Sequence, residues 1–481
     1  MHRIISLKPL AFVLVIITGT AAQAAAPRPH IVFVMADDMG WGETGYRNHP
    51  RLKTPNLDAM AAGGLRFERF YAGGPVCSPT RASVLTGRTH CRTGVLEHGY
   101  ALRLQEKTIA QALRDAGYAT SHFGKWHLDG LRGPGAPILA DDPRKPGAFG
   151  FDEWVSVTNY FDLNPLMSRK GTIEQFQGDS SDIAVAEAVK FLDASRNAHK
   201  PAFAVIWFGS PHGPSKALPD DKKPFADLDN ESANHYGELV ALDRAVGTLR
   251  AKLREFKIAD DTLLVFCSDN GGLGNIKPAT VGGLRGNKGS IYEGGLRVPG
   301  IIEWPAGIKA RVTNYPAFVV DLFPTVVDLL GLPTSVLMQP SDGISLKPLF
   351  AEEIAARERP LGFRYRDTGA WTDNGYKLVC ESREQGRYAL YDLTVDHAEA
   401  KDIAAEKPEV AERMKREFAA WDATVEASFA GKDYPEGRVS PPDPEPIAWQ
   451  DSPLYKPYLA EWLKRPEYKA PVARAAKRKQ K

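Results

Sequence analysis

Carboxylates follow two of the apolar runs in this chain, at the points where buried strands would end. Asp37 and Asp38 come directly after one run, and Asp269 and Asn270 lie just beyond the end of another. One aspartate at a strand end is often a helix N-cap, but this pair, with a second Asp and an Asn, favours a binding site. Three carboxylates and an amide oxygen form a hard oxygen set, which suits Ca²⁺ or Mg²⁺ and lacks the ligands that favour zinc.

Basic side chains follow two further apolar runs. Lys125 and His127 come after the run 118–124, and His212 comes shortly after the run 202–208. Ligands of open α/β sheets bind beyond the carboxyl ends of the strands, so we expect these groups and the carboxylates to meet in one cleft. A lone histidine there is often structural, but lysines in an acid-lined cleft need an anionic partner. The sequence therefore predicts a site rich in acids, bases and cations.

The sequence PVCSPTRASVLTGR places a nucleophile beside a structure that can bind an anion. Ser78 can cap a helix whose first residue is Pro79. Cys77 and Arg81 would then lie at the helix N-terminus, where free N–H groups and the helix dipole favour an anion. A disulfide between Cys77 and Cys91 is the alternative.

The hydrophobic pattern predicts a scaffold that brings these distant groups together. Apolar, β-branched runs alternate with helical patterns up to about residue 340, which is typical of an α/β fold. We expect a large mixed, mostly parallel sheet with helices on both faces. Helices are predicted over 54–63, 108–117, 235–256 and 319–330 from their caps and apolar stripes.

The pattern changes after the loop 340–349. Short alternating strands, such as 376–381 and 388–393, precede one helix over about 408–421. This order predicts a smaller C-terminal α+β domain with an antiparallel sheet, followed by a Pro-rich tail. We therefore divide the chain into a targeting segment at 1–26, a catalytic domain at 27–340, an α+β domain at 341–430 and a tail with a basic end at 431–481.

Composition excludes several classes of protein. The 481 residues are 43% apolar and 25% charged, so the chain is neither disordered nor fibrous and has material for a large core. The 61 Lys and Arg against 59 Asp and Glu give a net charge of +2, which is no footprint for bulk nucleic-acid binding. The basic end at 477–481 is expected to be solvated, and binding to a polyanion is the alternative.

The N-terminus is typical of a signal peptide. A basic start precedes the apolar run 10–17, and the sequence AQA at 22–24 fits the small-x-small cleavage pattern. The alternative, a membrane anchor, needs a longer apolar stretch to cross about 30 Å of hydrocarbon. We expect a periplasmic or secreted protein without a membrane span after cleavage. Its four cysteines allow three disulfide patterns, but Cys267 and Cys380 lie in apolar runs and are expected to be buried in strands.

Two motifs in the chain resemble the signatures of type I sulfatases, members of the alkaline phosphatase superfamily in which one cysteine is converted to Cα-formylglycine. The first motif is CSPTR at 77–81, continued by LTGR at 85–88. The second is matched by Gly117, Tyr118, Thr120, Gly124, Lys125, Trp126 and His127. Phe123 stands where the family usually has a smaller residue, which changes packing rather than chemistry. The resemblance extends from about Pro29 through the small domain and argues against the disulfide of Cys77.

The resemblance implies a calcium site and a modified nucleophile. Asp37, Asp38, Asp269 and Asn270 match the calcium ligands of the family, and formylglycine 77 completes the shell. A maturation enzyme must oxidise Cys77 before or during export. The hydrate of the resulting aldehyde supplies the hydroxyl that attacks sulfur.

The resemblance also implies roles for five basic side chains. Arg81 matches the residue that holds the modified side chain, and Lys125 and Lys288 match those that bind the sulfate. His127 matches the partner of the formylglycine hydrate, and His212 the histidine near the leaving oxygen, which it would protonate. Lys288 is assigned by its spacing, five residues before the sequence EGG, and a surface lysine in a Gly-rich loop is the alternative.

The expected substrate is a sulfated carbohydrate, with aryl sulfates as simpler substrates. The segment 271–297 and the approach to His212 are similar to the arylsulfatase A and N-acetylgalactosamine-6-sulfatase group. Pocket residues are expected from His98, 159–162 and the loop 215–229. The sequence leaves the sugar, the sulfate position and the oligomeric state open.

Three other functions are consistent with parts of this pattern. A phosphomonoesterase or phosphodiesterase of the same superfold would share the aspartates, but usually binds two transition metals and uses Thr or Ser as nucleophile. A phosphonate monoester hydrolase would share the formylglycine motif. An inactive glycan-binding homologue would be expected to have lost some of Cys77, Arg81, Lys125 or His212, all of which are present.

Overall fold

The computed structural model describes residues 28–469. The predicted signal peptide and the basic end of the tail lie outside these residues. Within them, no helix combines the length and the hydropathy that a membrane crossing requires.

Most of the described strands join one large sheet, and four others form a small one. In chain order the strands are β1 (His30–Ala36), β2 (Leu65–Tyr71), β3 (Ala119–Lys125), β4 (Leu131–Arg132), β5 (Glu153–Val157), β6 (Leu166–Arg169), β7 (Thr172–Gln175), β8 (Ala202–Trp207), β9 (Thr262–Ser268), β10 (Arg297–Glu303), β11 (Arg311–Thr313), β12 (Ala317–Phe318), β13 (Leu361–Tyr365), β14 (Thr368–Asp373), β15 (Tyr376–Ser382), β16 (Arg387–Asp392) and β17 (Ile447–Ala448).

The large sheet has the order β11-β2-β10-β9-β1-β8-β3-β5-β6-β7, and β12 pairs with β2. Its centre, from β9 to β5, is parallel, whereas β10 runs antiparallel to β9 and the β6 and β7 edge is antiparallel. The predicted mixed, mostly parallel sheet is therefore confirmed. The four strands that precede the candidate site residues, β9, β1, β8 and β3, are neighbours, so their carboxyl ends meet at one edge.

Alternate residues of β1 enter the cores on the two faces of the sheet. Ile31 and Phe33 belong to one buried cluster, and Val32 and Val34 belong to the other, together with Leu242 of the long helix described below. Burial on both faces explains why the central strands read as continuous apolar runs.

The helices confirm most of the sequence prediction, although their ends differ. In chain order the α-helices are α1 (Pro55–Gly63), α2 (Cys77–Thr86), α3 (Ile109–Asp115), α4 (Ser180–Asn197), α5 (Pro219–Lys222), α6 (Asn230–Glu255), α7 (Glu293–Leu296), α8 (Leu322–Leu330), α9 (Pro348–Ala351), α10 (Pro408–Phe429) and α11 (Lys456–Trp462).

Two boundaries show what a stripe of apolar residues does not reveal. The predicted start of α6 at 235 is too late, because Asp229 caps the helix by accepting the N–H groups of Glu231 and Ser232 at 3.0 and 2.9 Å. The predicted end of α10 at 421 is too early, because Val425 and Ser428 in its last turns are still buried.

The C-terminal part contains the expected antiparallel sheet, with the order β13-β14-β15-β16. Helix α10 packs on it through Met414 and Phe418. The tail then returns to the large domain, where β17 pairs with β4. Trp449, Tyr455 and Trp462 anchor it in an apolar cluster of its own.

Candidate active site

The predicted carboxylates converge at the carboxyl ends of β1 and β9. All four side chains, those of Asp37, Asp38, Asp269 and Asn270, are fully buried. Asp38 has a left-handed backbone, with φ of 69°, and its N–H donates to Asp269 Oδ1 at 3.0 Å. Asn270 Nδ2 donates to Asp38 Oδ1 at 2.8 Å. The strand ends therefore form one compact oxygen-rich cluster.

Three cations from three other segments contact these carboxylates. Lys125 Nζ donates to Asp37 Oδ2 at 2.7 Å, and Lys288 Nζ donates to Asp38 Oδ2 at 2.7 Å. Arg81 Nη2 donates to Asp269 Oδ2 at 2.6 Å. Buried charges are tolerated when they are paired, so each carboxylate has its own cation.

The pKa values of two carboxyls show how crowded the negative charge is. Burial, and then the charge of Asp37, raise the pKa of Asp269 to about 7 in spite of Arg81. Burial would also raise the pKa of Asp38, but its neighbours, Lys288 first and then His212 and Asn270, together outweigh burial and hold that pKa below its usual value. A further cation would relieve the repulsion between these carboxylates.

The oxygen atoms fit a hard divalent cation. Asn270 Oδ1 is buried and has no hydrogen-bond donor among residues 28–469, so it has a free lone pair that a cation can use. Ligand atoms of Asp37, Asp38, Cys77 and His212 all lie within 4.8 Å of one another. Carboxylate and amide oxygens suit Ca²⁺ or Mg²⁺, whereas imidazole is a ligand that these hard ions seldom take.

Cys77 lies between the carboxylates and a lysine. Its Sγ is 3.5 Å from Asp37 Oδ1 and 3.5 Å from Lys288 Nζ. Burial raises the pKa of the Cys77 thiol to about 12, more than Lys125 and Lys288 lower it. The thiol is therefore protonated at neutral pH and is a poor nucleophile as it stands.

The helix that carries Cys77 begins earlier than predicted. Cys77 itself is the first residue of α2 and Val76 is the N-cap, so the assignment of Ser78 as the cap is wrong. Ser78 Oγ instead accepts the N–H of Gly99 at 2.8 Å. Pro79 is tolerated at the third helical position because the first N–H groups of a helix have no partner within it.

The four cysteines are free and buried, which excludes a disulfide between Cys77 and Cys91. Cys91 lies beside His90 and the carbonyl of Arg364. Cys267 and Cys380 lie in β9 and β15, as expected.

His127 follows β3 in a left-handed conformation, with φ of 55°. Both of its ring nitrogens are buried and neither has a hydrogen-bond partner in the part of the chain that the structure describes. Burial, with the charges of Lys125 and Arg81, holds the pKa of His127 well below its usual value. The ring is therefore neutral, with a nitrogen ready to accept a proton.

His212 lies across the carboxylate cluster, with Nε2 3.8 Å from Asp38 Oδ2. Its ring stacks on Tyr160 at a centroid distance of 4.6 Å and an interplanar angle of 9°. Burial, and then Lys288, hold the pKa of His212 well below its usual value. The role of His212 as donor to the leaving oxygen stays a prediction, and the neutral imidazole still has one N–H that can donate a hydrogen bond.

The positions of the two sulfate-binding candidates depend on close backbone contacts. A Cβ at Gly124, which precedes Lys125, would lie 2.0 Å from the carbonyl oxygen of Trp207. A Cβ at Gly271 would lie 1.8 Å from the carbonyl oxygen of Gly294, in the loop that follows Lys288. Only glycine fits at either place.

Lys288 is held on its other side by an interaction that sequence reasoning missed. Its N–H donates to the carbonyl of Gly272 at 3.0 Å. Behind this loop, buried Lys377 of the small sheet pairs with Glu293 and Glu399, at 2.9 Å each. The ordinary strand pattern around Lys377 gave no signal that the small sheet fixes this loop.

The predicted pocket residues surround the cluster unevenly. His98 is half exposed and its Nδ1 lies 3.0 Å from Glu97 Oε1. Of the loop 215–229, Ser215 and Lys216 line a cavity of about 900 Å³ that also contains the edge of Tyr160. Nothing in the sequence indicated that the tail, at Arg465, also lines this cavity.

Comparisons with known proteins agree with this geometry. Residues 29–332 match the family model described as Sulfatase. An N-acetylgalactosamine-6-sulfatase of Canis lupus familiaris is 31% identical over 388 residues, which cover 73% of this chain and 71% of that relative. Arylsulfatase A of Homo sapiens is 33% identical over 375 residues, covering 68% of this chain and 69% of that relative.

A solved structure has the same overall shape. Ps i-CgsB in complex with k-i-k-neocarrahexaose superposes with a TM-score of 0.72 at 26% identity, and the match covers 82% of this chain and 92% of that one. This chain therefore belongs to the sulfatase family of the alkaline phosphatase superfamily and is a sulfuric ester hydrolase.

Proposed function

We propose that this chain is an exported sulfatase that removes sulfate from a carbohydrate, with formylglycine made from Cys77 and one bound Ca²⁺. One observation carries the proposal: Cys77 Sγ lies 3.5 Å from both a carboxylate oxygen of Asp37 and the ammonium of Lys288. A residue at this point touches the candidate metal ligands on one side and a candidate sulfate ligand on the other.

The protonated thiol itself argues for modification. With a pKa of about 12, unmodified Cys77 has almost no thiolate at neutral pH. Oxidised to the aldehyde and hydrated, residue 77 would supply the attacking hydroxyl and a second hydroxyl for release of sulfate.

Asp37, Asp38, Asp269 and Asn270 Oδ1, with residue 77, would hold the cation. Bound there, Ca²⁺ would act as a Lewis acid and stabilise negative charge at the reacting centre. We assign Ca²⁺ because the ligands are oxygen atoms and because Asn270 Oδ1 has a free lone pair.

The two lysines would bind the sulfate oxygens. Lys125 and Lys288 pair with Asp37 and Asp38 in this structure, and they become available to an anion when those carboxylates coordinate a cation. Arg81 stays buried against Asp269 and would hold residue 77 in place. Fixed cations that face the developing charge stabilise the transition state without reorganisation.

The histidines would handle protons on the two sides of residue 77. Neutral His127, whose nitrogens have no partner among the described residues, would accept the proton of the second hydroxyl. His212, stacked on Tyr160 of the cavity wall, would donate to the departing alcohol oxygen. A carbohydrate alcohol leaves poorly, so this donation matters most for a sugar substrate.

A carbohydrate is favoured over other sulfate esters by two observations. One matching relative is named N-acetylgalactosamine-6-sulfatase, and one matching structure is a complex with a neocarrahexaose. The N-terminal signal pattern would place the enzyme where extracellular sulfated polysaccharides occur.

The first experiment is mass spectrometry of the peptide that contains Cys77, from protein made in an export-competent host with a maturation enzyme. We expect a peptide lighter by the exchange of H₂S for oxygen. The modified protein is then assayed in Ca²⁺ and in chelator with N-acetylgalactosamine 6-sulfate, sulfated carrageenan and chondroitin oligosaccharides, 4-nitrophenyl sulfate and an aryl phosphonate monoester.

An unmodified Cys77 in that host would overturn the formylglycine mechanism. Preferential turnover of the phosphonate would replace the sulfatase assignment of the active site with a phosphonate hydrolase. Activity on aryl sulfate alone would remove the carbohydrate part of the proposal and leave the nucleophile in place.

A further inference from the structure

The cavity beside His212 has a wall that the catalytic domain does not supply. Its volume is about 900 Å³, near the upper end for small-molecule sites. One side is formed by Tyr160, Asp162 and Lys216, and the other by tail residues that include Arg465 and Glu467. The cavity is therefore built jointly by segments about 300 positions apart in the chain.

The cavity lies next to the candidate active site, and Tyr160 joins the two. Tyr160 contributes to its wall and stacks on His212. Lys216 lies four residues after His212 in the same loop. A ligand that places its ester oxygen near His212 would therefore extend its next part into this cavity.

The tail wall is fixed to the catalytic domain by specific hydrogen bonds. Arg465 Nη2 donates to the carbonyl of Asn164 at 2.8 Å, and its Nη1 donates to Gln175 Oε1. Buried Tyr468 donates its hydroxyl to the carbonyl of Gly135 at 3.1 Å. These contacts, and the burial of Trp462 in the tail cluster, position the wall before any ligand binds.

The lining has the chemistry of a sugar site. Asp162 Oδ1 is enclosed and has no donor among residues 28–469, so it can accept a bond from a hydroxyl group. Burial, and then the charge of Asp179, raise the pKa of Asp162 well above its usual value, which favours a neutral carboxyl that can also donate. The six acidic and basic lining residues are three bases and three acids, of which Asp162 is neutral, so their net charge is small and hydroxyl and amide groups fit better than a polyanion. They are Asp162, Lys216, Glu461, Lys464, Arg465 and Glu467.

We propose that this cavity is a saccharide subsite for the sugar unit next to the one that carries the sulfate, and that Asp162 and the tail segment 461–468 determine the preference for an oligosaccharide. The inference rests on the proposed function, because it gives the same active site a longer substrate. The nearest alternative is that the tail only stabilises the large domain.

The test compares Asp162→Asn and Arg465→Ala with wild type on a sulfated oligosaccharide and on 4-nitrophenyl sulfate, which does not reach the cavity. The oligosaccharide is the sulfated carrageenan or chondroitin hexasaccharide that wild type hydrolyses fastest. We expect kcat/KM for the hexasaccharide to fall about fivefold in each variant, as for the loss of one hydrogen bond. The aryl sulfate rate should stay within about twofold. Arg114→Ala, at an exposed side chain of α3, is the control and should leave both rates unchanged.

Equal losses on both substrates would show a merely structural role and overturn the subsite. Turnover of the aryl sulfate but of none of the saccharides by formylglycine-containing enzyme would overturn it as well, with the nucleophile intact. A binding measurement separates the subsite from the chemistry. Desulfated hexasaccharides of chondroitin and carrageenan are followed by saturation-transfer NMR. Binding to wild type that weakens in Arg465→Ala supports the subsite even if Cys77 is unmodified, and no binding of either, or binding unaffected by Arg465→Ala, contradicts it.

Discussion

Two clusters of buried charges in this protein have similar residues but different surroundings. In the active-site cluster, Asp37 and Asp38 pair with Lys125 and Lys288. In the structural cluster, Lys377 alone bridges Glu293 and Glu399. Burial and ion pairing are therefore shared, and neither by itself marks a functional site.

The difference lies in the groups that surround each cluster. Beside the active-site carboxylates, Asn270 Oδ1 and both nitrogens of His127 are buried without a hydrogen-bond partner in the described chain. Around the structural cluster, Glu293 Oε2 accepts from Tyr71 at 3.0 Å and Glu399 Oε2 accepts from the N–H of Glu293 at 2.7 Å. Glu399 Oε1 and Arg297 Nη1 also have no hydrogen bond among the described residues, but each lies beside an opposite charge, at 2.9 Å from Lys377 Nζ and 3.6 Å from Glu293 Oε2 respectively. Unused hydrogen-bonding capacity is costly in a folded protein unless a ligand uses it.

The largest expected effect is a loss of kcat at one of two buried cysteines and not at the other. In a host whose maturation enzyme oxidises only cysteine, Cys77→Ser should lower kcat at least about a thousandfold, because the aldehyde cannot form. Cys380→Ser, in the small sheet, should lower the melting temperature and leave kcat unchanged. Wild-type turnover by Cys77→Ser would contradict the assigned nucleophile.

A second pair of variants compares the two lysines. Lys377→Met removes the cation paired with buried Glu399 and leaves Glu293 with Arg297, at 3.6 Å, so it should cost about 3–5 kcal/mol of unfolding free energy, with or without Ca²⁺. Lys125→Met should also destabilise the protein in chelator, but Ca²⁺ should restore most of the loss because it compensates the same carboxylates. Urea unfolding in chelator and in Ca²⁺ measures both. Equal rescue of the two variants by Ca²⁺ would remove the distinction between the clusters.

A smaller effect is expected when the leaving group is varied. His212→Ala should lower kcat/KM about a hundredfold on a sugar sulfate and less than about tenfold on 4-nitrophenyl sulfate, because only the sugar alcohol needs a proton donor. Steady-state kinetics on both substrates measures the ratio. Losses of the same size on both would exclude His212 as the proton donor.

The smallest expected effect is a loss of Ca²⁺-induced stabilisation when Asn270 Oδ1 is removed. Asn270→Ala removes one candidate ligand, and a tenfold weaker Ca²⁺ site would remove about 1.4 kcal/mol of Ca²⁺-induced stabilisation. Thermal unfolding with increasing Ca²⁺ should show a smaller shift than in wild type. Asn275→Ala, on the surface, is the control. An unchanged Ca²⁺ shift in Asn270→Ala would place the cation elsewhere.

Local signals predicted much of the fold. The apolar runs located the central strands, and Thr108 with Gln111 forms a capping box at the predicted start of α3. Helix ends that depend on a polar cap or on burial were less accurate. Asp229 starts α6 before the first residue of its apolar stripe, and α10 continues beyond 421 because its last turns are buried.

The sequence by itself determined which side chains meet at the active site. Asp37 and Lys125 follow parallel strands of one sheet, so their position at its carboxyl edge follows from the order of the strands. Only the tertiary structure decided which groups surround these side chains. The lowered pKa of His212, the pairing of Glu293 with Lys377 and the contribution of Arg465 to the cavity arise from contacts between segments far apart in the chain. Burial and long-range packing set these features, and neither leaves a periodic trace in the sequence.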